Sequence, residues 1–214
     1  SNLTPKLNLR YRPTSRLTLR AGYGMGFRAP SLKEKYYNFD MVGIWIVEGN
    51  KDLKSELSHN FNLSAEYIHG HYDFTASVYY NFVHNKLATA APYFKTATDK
   101  LPYLPYANLD NYSVCGGEIG AQARWDNGLS ARITYAYTKE HLPKDKEGNT
   151  INNQYIPSRE HALNVRADYD HRFSKNYALS LGINGRVMSG TSNVEYKNYY
   201  DVSEGTIKVD YPAY

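Results

Sequence analysis

The chain has 214 residues, with 25 Lys and Arg against 21 Asp and Glu and a formal net charge of +4. No basic block is present, which excludes a nucleic-acid-binding reading. The mean hydropathy of −0.63, without a run of about 18 apolar residues, excludes a transmembrane helix but not a barrel that hides its apolar half in alternation. The single cysteine, Cys115, beside Gly116 and Gly117, excludes an internal disulfide and reads as a small packing residue.

Period-two alternation begins at Lys6 to Arg12, where Leu7, Leu9 and Tyr11 oppose Asn8 and Arg10. After the tight link Pro13-Thr14-Ser15 it is clearest at Arg16 to Phe27. Leu17, Leu19, Ala21, Tyr23, Met25 and Phe27 share one face there, and Arg16, Thr18, Arg20, Gly22, Gly24 and Gly26 the other. A long link, Arg28 to Glu56, follows. Pro30 halts the strand, and Ser31 with Glu34 has capping-box spacing, which predicts a short helix. Tyr36, Tyr37 and Trp45 give this loop an aromatic surface before Gly49-Asn50 turns the chain back.

Leu57 to Ile68 and Asp73 to Phe82 alternate again around the turn His69-Gly70-His71. The long link His84 to Tyr112 leads to Ser113 to Trp125 and Leu129 to Thr138, joined by Asp126-Asn127-Gly128, in which Asn-Gly predicts a type I′ turn. The link Lys139 to Ser158 precedes His161 to Tyr169 and Tyr177 to Val187, joined by Asp170 to Asn176. A last long link, Met188 to Gly205, ends in an alternating run at Thr206 to Tyr211, which Pro212 stops, so it reads as an unfinished strand unable to close a barrel.

Runs of this length exceed the globular mean of about 5 to 6 residues and match the roughly 10 to 12 that a tilted strand needs to cross hydrocarbon. Short links at one end and long ones at the other match periplasmic turns and extracellular loops. The 22 tyrosines and 2 tryptophans fit aromatic girdles, with Tyr11, Tyr23, Tyr67, Trp125, Tyr135, Tyr137 and Tyr169 read near strand ends. The fold class is therefore all-β, a transmembrane antiparallel β-barrel, present as a fragment of about eight to nine strands within one domain over residues 1–214. Gly22, Gly24 and Gly26 on the inner face predict open space along the wall and a wide lumen. Arg16, Arg20, Arg124, Arg132, Arg166 and Arg186, with Glu66, Glu118 and Asp168, form an ion-pair lining of that lumen.

The segments Gly26-Phe27-Arg28-Ala29-Pro30 and Gly49-Asn50-Lys51-Asp52-Leu53-Lys54-Ser55-Glu56-Leu57-Ser58 resemble a pair of motifs of the TonB-dependent outer-membrane receptors, G-F-R-A-P and G-N-P-x-L-K-P-E-x-S. Asn50, Asp52, Leu53, Lys54 and Glu56 stay in step, whereas Lys51 and Ser55 replace the family's prolines. The resemblance implies a barrel of about 22 strands blocked by an N-terminal plug. This chain would supply its C-terminal part, without the plug and the final strands. It also implies the outer membrane of a Gram-negative bacterium, contact with its lipids, and TonB-coupled import of a ferric siderophore, haem or cobalamin. No intrinsic cofactor is expected; the iron or cobalt belongs to the cargo. Further implied partners are the plug, held by lumen-facing Arg20, Arg124, Arg132 and Arg166, the TonB energy-transducing complex, and a surface lipoprotein.

Tyr36, Tyr37 and Trp45 are the candidate ligand-binding residues, suited to stacking on a flat macrocycle or an aromatic siderophore, with His84 and His141 at the starts of outer loops. No histidine lies between Ser31 and Glu48, which weakens haem, although Tyr36 or Tyr37 offers a phenolate. His69 and His71 make a weak metal pair in a solvated turn, and no metal site is expected. No catalytic motif is present, so no enzyme activity is expected. A passive porin or small closed barrel, and a secreted soluble β-rich binding module, are the competing readings.

Overall fold

The computed structural model describes residues 3–90, 92–96, 98–109, 112–141, 158–197 and 204–214. In chain order the elements are β1 (Lys6–Tyr11), β2 (Leu17–Arg28), α1 (Leu32–Tyr36), β3 (Phe39–Met41), β4 (Trp45–Glu48), β5 (Glu56–His69), β6 (Tyr72–His84) and β7 (Lys86–Thr89). They continue with β8 (Tyr103–Leu109), β9 (Tyr112–Arg124), β10 (Leu129–His141), β11 (His161–Arg172), β12 (Ala178–Met188), β13 (Thr191–Tyr196) and β14 (Thr206–Tyr211).

Eight strands form one antiparallel sheet in the order β1-β2-β5-β6-β9-β10-β11-β12. Eight of the alternating runs of the sequence are these strands, and the pairing register keeps the two faces separate across the whole sheet. One row passes through Leu9, Ala21, Leu63, Val78, Gly117, Tyr137 and His161. The row beside it passes through Asn8, Gly22, Asn62, Tyr79, Gly116 and Thr138. A one-residue slip at any pair would exchange the faces, so the hydrophobic pattern itself fixes the register. The apolar face stands open, with Leu9 62%, Leu63 57%, Ile119 60% and Ile183 73% exposed. An apolar surface this extended is a membrane surface and not a water-facing one.

Two details depart from the sequence-based expectations. At Gly128 (φ 88°) the link from β9 to β10 has one left-handed residue, not the two that a type I′ turn requires. Gly128 N donates to Trp125 O at 3.1 Å and Trp125 N to Leu129 O at 2.8 Å, the pattern of a three-residue loop closed by a glycine bulge. The inner glycines do not all leave space. A Cβ on Gly22 would fall 2.6 Å from Asn62 Oδ1, and Ser58 Oγ occupies that place at Gly26; only Gly24, nearest to Lys6 Cγ at 3.8 Å, stands clear. Polar neighbours fold over the bare backbone and thicken the wall instead. Thr206 to Tyr211 is β14, antiparallel to β13, and the register of Thr191 opposite Tyr211 carries on to the end of β12, where Met188 and Tyr214 exchange backbone hydrogen bonds of 2.6 and 3.2 Å, so the run is the unfinished strand along the wall edge.

The long links carry structure of their own. β3, β4, β8 and β7 form a four-stranded sheet over the long-loop end, with β4 and β8 parallel. Its centre is Trp45, Val47 and Leu104, all buried, flanked by Phe39, Ile44 and Tyr106. The link 142–157 lies outside the described residues.

Candidate functional site

The first loop is assembled around one carboxylate. Ser31, extended at φ −73° and ψ 163°, caps α1, and its hydroxyl accepts from Glu34 N at 3.2 Å. Glu34 returns the contact, with Oε2 accepting from Ser31 N at 2.7 Å and from Ser31 Oγ at 2.8 Å. Its other oxygen accepts from Arg28 Nη2, and Arg28 Nη1 lies 3.8 Å from Glu56 Oε2. Burial of Glu34 raises its pKa, but the hydrogen bonds from Ser31 and Arg28 outweigh it and hold the carboxyl below its ordinary range. Arg28 of the first motif thus meets both the buried acid of α1 and Glu56 of the second motif.

The second motif closes the loop in the same manner. Asn50 N donates to Glu34 O at 2.9 Å, Asn50 Nδ2 to Tyr106 O at 3.0 Å, and Asn50 Oδ1 accepts from Asp52 N at 2.9 Å. Gly49 is needed because the backbone of Lys35 to Tyr37 passes about 3.0 Å from where its Cβ would be. Leu53 is buried, and Lys54 exchanges two hydrogen bonds with the Asn108 side chain, at 2.7 and 2.9 Å, so the second loop is fastened to the first. Lys51 lies exposed in the turn, where the loop's hydrogen bonds run through Asn50 and Asp52 on either side of it.

The candidate aromatic residues separate. Tyr36 and Tyr37 are 55% and 60% exposed, whereas Trp45 packs in the rim core with its Nε1 donating to Met41 Sδ at 3.1 Å. His84 ends β6 on the apolar, outward face, its ring edge-on to Phe82 at 4.4 Å and to His59 at 5.9 Å. His141 ends β10 opposite Ser113 in the same outward set of rows. Among the inward residues, Arg20 pairs with Glu66 at 2.8 Å, and Arg166 grips Asp168 through two hydrogen bonds of 2.7 and 2.8 Å. Arg132 stands opposite both Gln122 and Arg166, and Arg124 opposite Ser130, all on the inward face.

A cluster that sequence reasoning missed lies on the other side of the rim sheet. Tyr93 Oη donates to Glu48 Oε2 and Lys95 Nζ to Glu48 Oε1, both at 2.6 Å. Lys95 sits 4.0 Å above the Tyr103 ring, itself 6.0 Å from the Tyr93 ring. The bond from Lys95, then that from Tyr93, lowers the Glu48 pKa, and the same contacts raise those of Tyr93 and Lys95. Glu48 is far in sequence from Tyr93 and Tyr103, and only the parallel β4–β8 pairing joins them; the sequence signal was limited to a tyrosine-rich stretch. Together these groups offer phenols, a cation and stacking faces. Among the described residues no group of three or more His, Cys, Asp or Glu side chains is placed to hold a metal ion.

The family model for the TonB dependent receptor-like β-barrel matches residues 1–214. Hemoglobin-haptoglobin-binding protein A of Haemophilus influenzae is 32% identical over 153 residues, 65% of this chain and 14% of that protein. The iron-regulated outer membrane virulence protein of Vibrio cholerae is 25% identical over 193 residues, 84% of this chain and 28% of that protein. A ferric enterobactin receptor of Pseudomonas aeruginosa superposes with a TM-score of 0.73 at 22% identity, over all of this chain and 31% of that structure. The FrpB iron transporter of Neisseria meningitidis superposes with a TM-score of 0.70 at 16% identity, again over all of this chain and 31% of its own. The chain therefore spans less than a third of the length of each of these proteins.

Proposed function

The chain belongs to the TonB-dependent receptor β-barrel family, a wall segment in the outer membrane of a Gram-negative bacterium, and from that premise we propose that its receptor binds an extracellular iron chelate and imports it. The cargo is a ferric siderophore or haem, and TonB supplies the energy from the periplasmic side. The observation that carries this reading is the family match over the whole chain, joined to relatives named for iron regulation and for haemoglobin–haptoglobin binding. The rim supports it chemically. Exposed Tyr36 and Tyr37 and the Tyr93–Lys95–Tyr103 cluster supply stacking faces and positive charge for a flat or aromatic anionic ligand. The inward arginines Arg20, Arg124, Arg132 and Arg166 serve the plug, and a surface lipoprotein is a further partner over the loops.

The open apolar face argues against a secreted soluble module. The experiment is titration of the full-length receptor in detergent with haem, a panel of ferric siderophores and cobalamin, by calorimetry and absorbance. Tight binding of an iron chelate, weakened when Tyr36, Tyr37 and Lys95 are replaced by alanine, is the expected result. No binding, with free passage of small solutes through the receptor in liposomes, would replace this reading with a porin.

A further inference from the structure

β5 and β11 carry the same outward pattern, four steps apart in the sheet. Each has a histidine near its outer end, His59 or His161, and a tyrosine and second histidine at its turn end, Tyr67 and His69 or Tyr169 and His171. Between them the outward positions are Phe61, Leu63 and Ala65 in one strand and Leu163, Val165 and Ala167 in the other. The acids beside the tyrosines, Glu66 and Asp168, point inward, where Arg20 and Arg166 hold them.

The histidines also share levels. His161 stands opposite Tyr137, four residues from the His141 that closes the row of His59, Phe82 and Ser113. His171 likewise lies four residues beyond Ala167, which closes the row of His69, Tyr72, Ala123 and Ala131. A shift of one residue per strand, about 3.4 Å along for about 4.8 Å across, is the slope of a wall whose strands tilt by about 35°. The short turns step the same way, Gly70 three residues past Tyr67 and Gly128 seven past Ala121 in the same row. His59 and His161 therefore stand at one height, and His69 and His171 at another. Ten residues separate the two levels along either strand, about 34 Å, which at tilts of about 35–45° gives about 24–28 Å along the membrane normal. That is the height of the apolar band of an outer-membrane barrel, so the histidines stand at its two borders.

Local contacts keep the rings as donors. Tyr23 Oη lies 2.9 Å from His59 Nδ1 and Tyr135 Oη 2.6 Å from His161 Nδ1, each phenol reaching from the neighbouring strand. A phenol donating to Nδ1 holds the ring proton on Nε2, which keeps an N–H to donate. His69 and His171 stack on Tyr67 and Tyr169 at 6.4 and 6.1 Å. Among the described residues of the eight wall strands no outward position is Asp or Glu, and the bases there are histidines and Lys139. A face that is basic only at the borders of its apolar band complements an amphiphile with an anionic headgroup. β5 lies between β2 and β6, and β11 between β10 and β12, so both have their lateral neighbours in place and their outward side faces the membrane. Contact with a second copy would have no reason to follow both borders of the hydrocarbon.

We propose that these four histidines bind lipid phosphate, His59 and His161 in outer-leaflet headgroups and His69 and His171 in those of the inner leaflet. Each imidazole N–H donates to an ionised phosphate oxygen. The contacts fix the height of the wall in the membrane whatever cargo the receptor carries.

The test uses the full-length receptor, stripped of lipid in detergent, and native mass spectrometry with phosphatidic acid and a diacylglycerol of the same acyl chains, which differ only in the phosphate. Wild type should retain phosphatidic acid about tenfold more tightly or better, the scale of a hydrogen bond to a charged group. His59→Phe with His161→Phe, and His69→Phe with His171→Phe, keep a ring at each border and remove the donors. Each pair should lose two bound phosphatidic acid molecules, with diacylglycerol retention and heat-modifiable gel mobility unchanged. Equal retention of the two lipids by wild type would overturn the proposal without any variant. So would an unchanged phosphatidic acid count in the fourfold variant, or an equal loss of diacylglycerol, which would reduce the rings to apolar packing. Displacement of the lipid by inorganic phosphate would make these free-anion sites, and a wild-type dimer that the variants dissociate would make the belts a contact between copies; either result would also overturn it.

Discussion

Replacing Glu34 with alanine removes the acceptor for Ser31 N, the acceptor for Ser31 Oγ and the partner of Arg28 in one step. Loss of the reciprocal cap is worth about 1 kcal/mol. The charge-assisted bond from Arg28 is worth about 1.5–3 kcal/mol, discounted because the Arg28 side chain is 49% exposed. Together they give about 2–3 kcal/mol of loop closure, so transient opening should increase about 30- to 150-fold. Hydrogen exchange of the full-length receptor in detergent reads this directly. Peptides over residues 29–50 should exchange faster in the variant, while peptides from β5 and β6 serve as an unchanged internal control. The sign of the pH dependence follows from the depressed carboxyl. Its contribution is fully present above the ordinary value of 4.5 and is lost as pH falls through the lower folded value. Wild type should therefore open below about pH 4.5, and the alanine variant should lack that step. Exchange over 29–50 unchanged by the substitution would refute the carboxylate's role as the hub of the loop.

Trp45→Ala should cost about 3–5 kcal/mol in the rim core and make the loop between β7 and β8 protease-sensitive, with the wall intact by heat-modifiable gel mobility. Gly116→Leu should block barrel assembly, since its Cβ would strike Tyr137 O and the Tyr79 ring, whereas Gly185→Ala, with nothing within 4 Å, should assemble normally; the same gel mobility reads both. Leu63→Arg on the outward face should cost about 2–4 kcal/mol in denaturant unfolding from vesicles, while Asn60→Arg on the inward face should cost little. Equal costs at those two positions would contradict the assignment of faces.

The wall was legible in the sequence because its physics is local. A strand with lipid on one side and water on the other must alternate, and Leu7 to Tyr11 or Leu17 to Phe27 show that without any tertiary information. The capping box at Ser31 and Glu34 was legible for the same reason. What escaped depended on contacts distant in sequence. Nothing local shows that Trp45 packs on Leu104, or that Glu48 meets Tyr93 and Lys95. The inner glycines misled because spacing reveals a missing side chain but not that Asn62 or Ser58 folds into its place. His84 and His141 end β6 and β10, and the outward side they occupy emerges only from the register carried across successive strands.

The central claim is energy-dependent import of an iron chelate, and uptake of radiolabelled ferric siderophore and haem into cells expressing the full-length receptor tests it most directly. The account predicts accumulation of one of these that ceases when TonB is deleted or the proton gradient is collapsed, while surface binding persists. Accumulation that is indifferent to both treatments, or absent for every iron chelate, would contradict it.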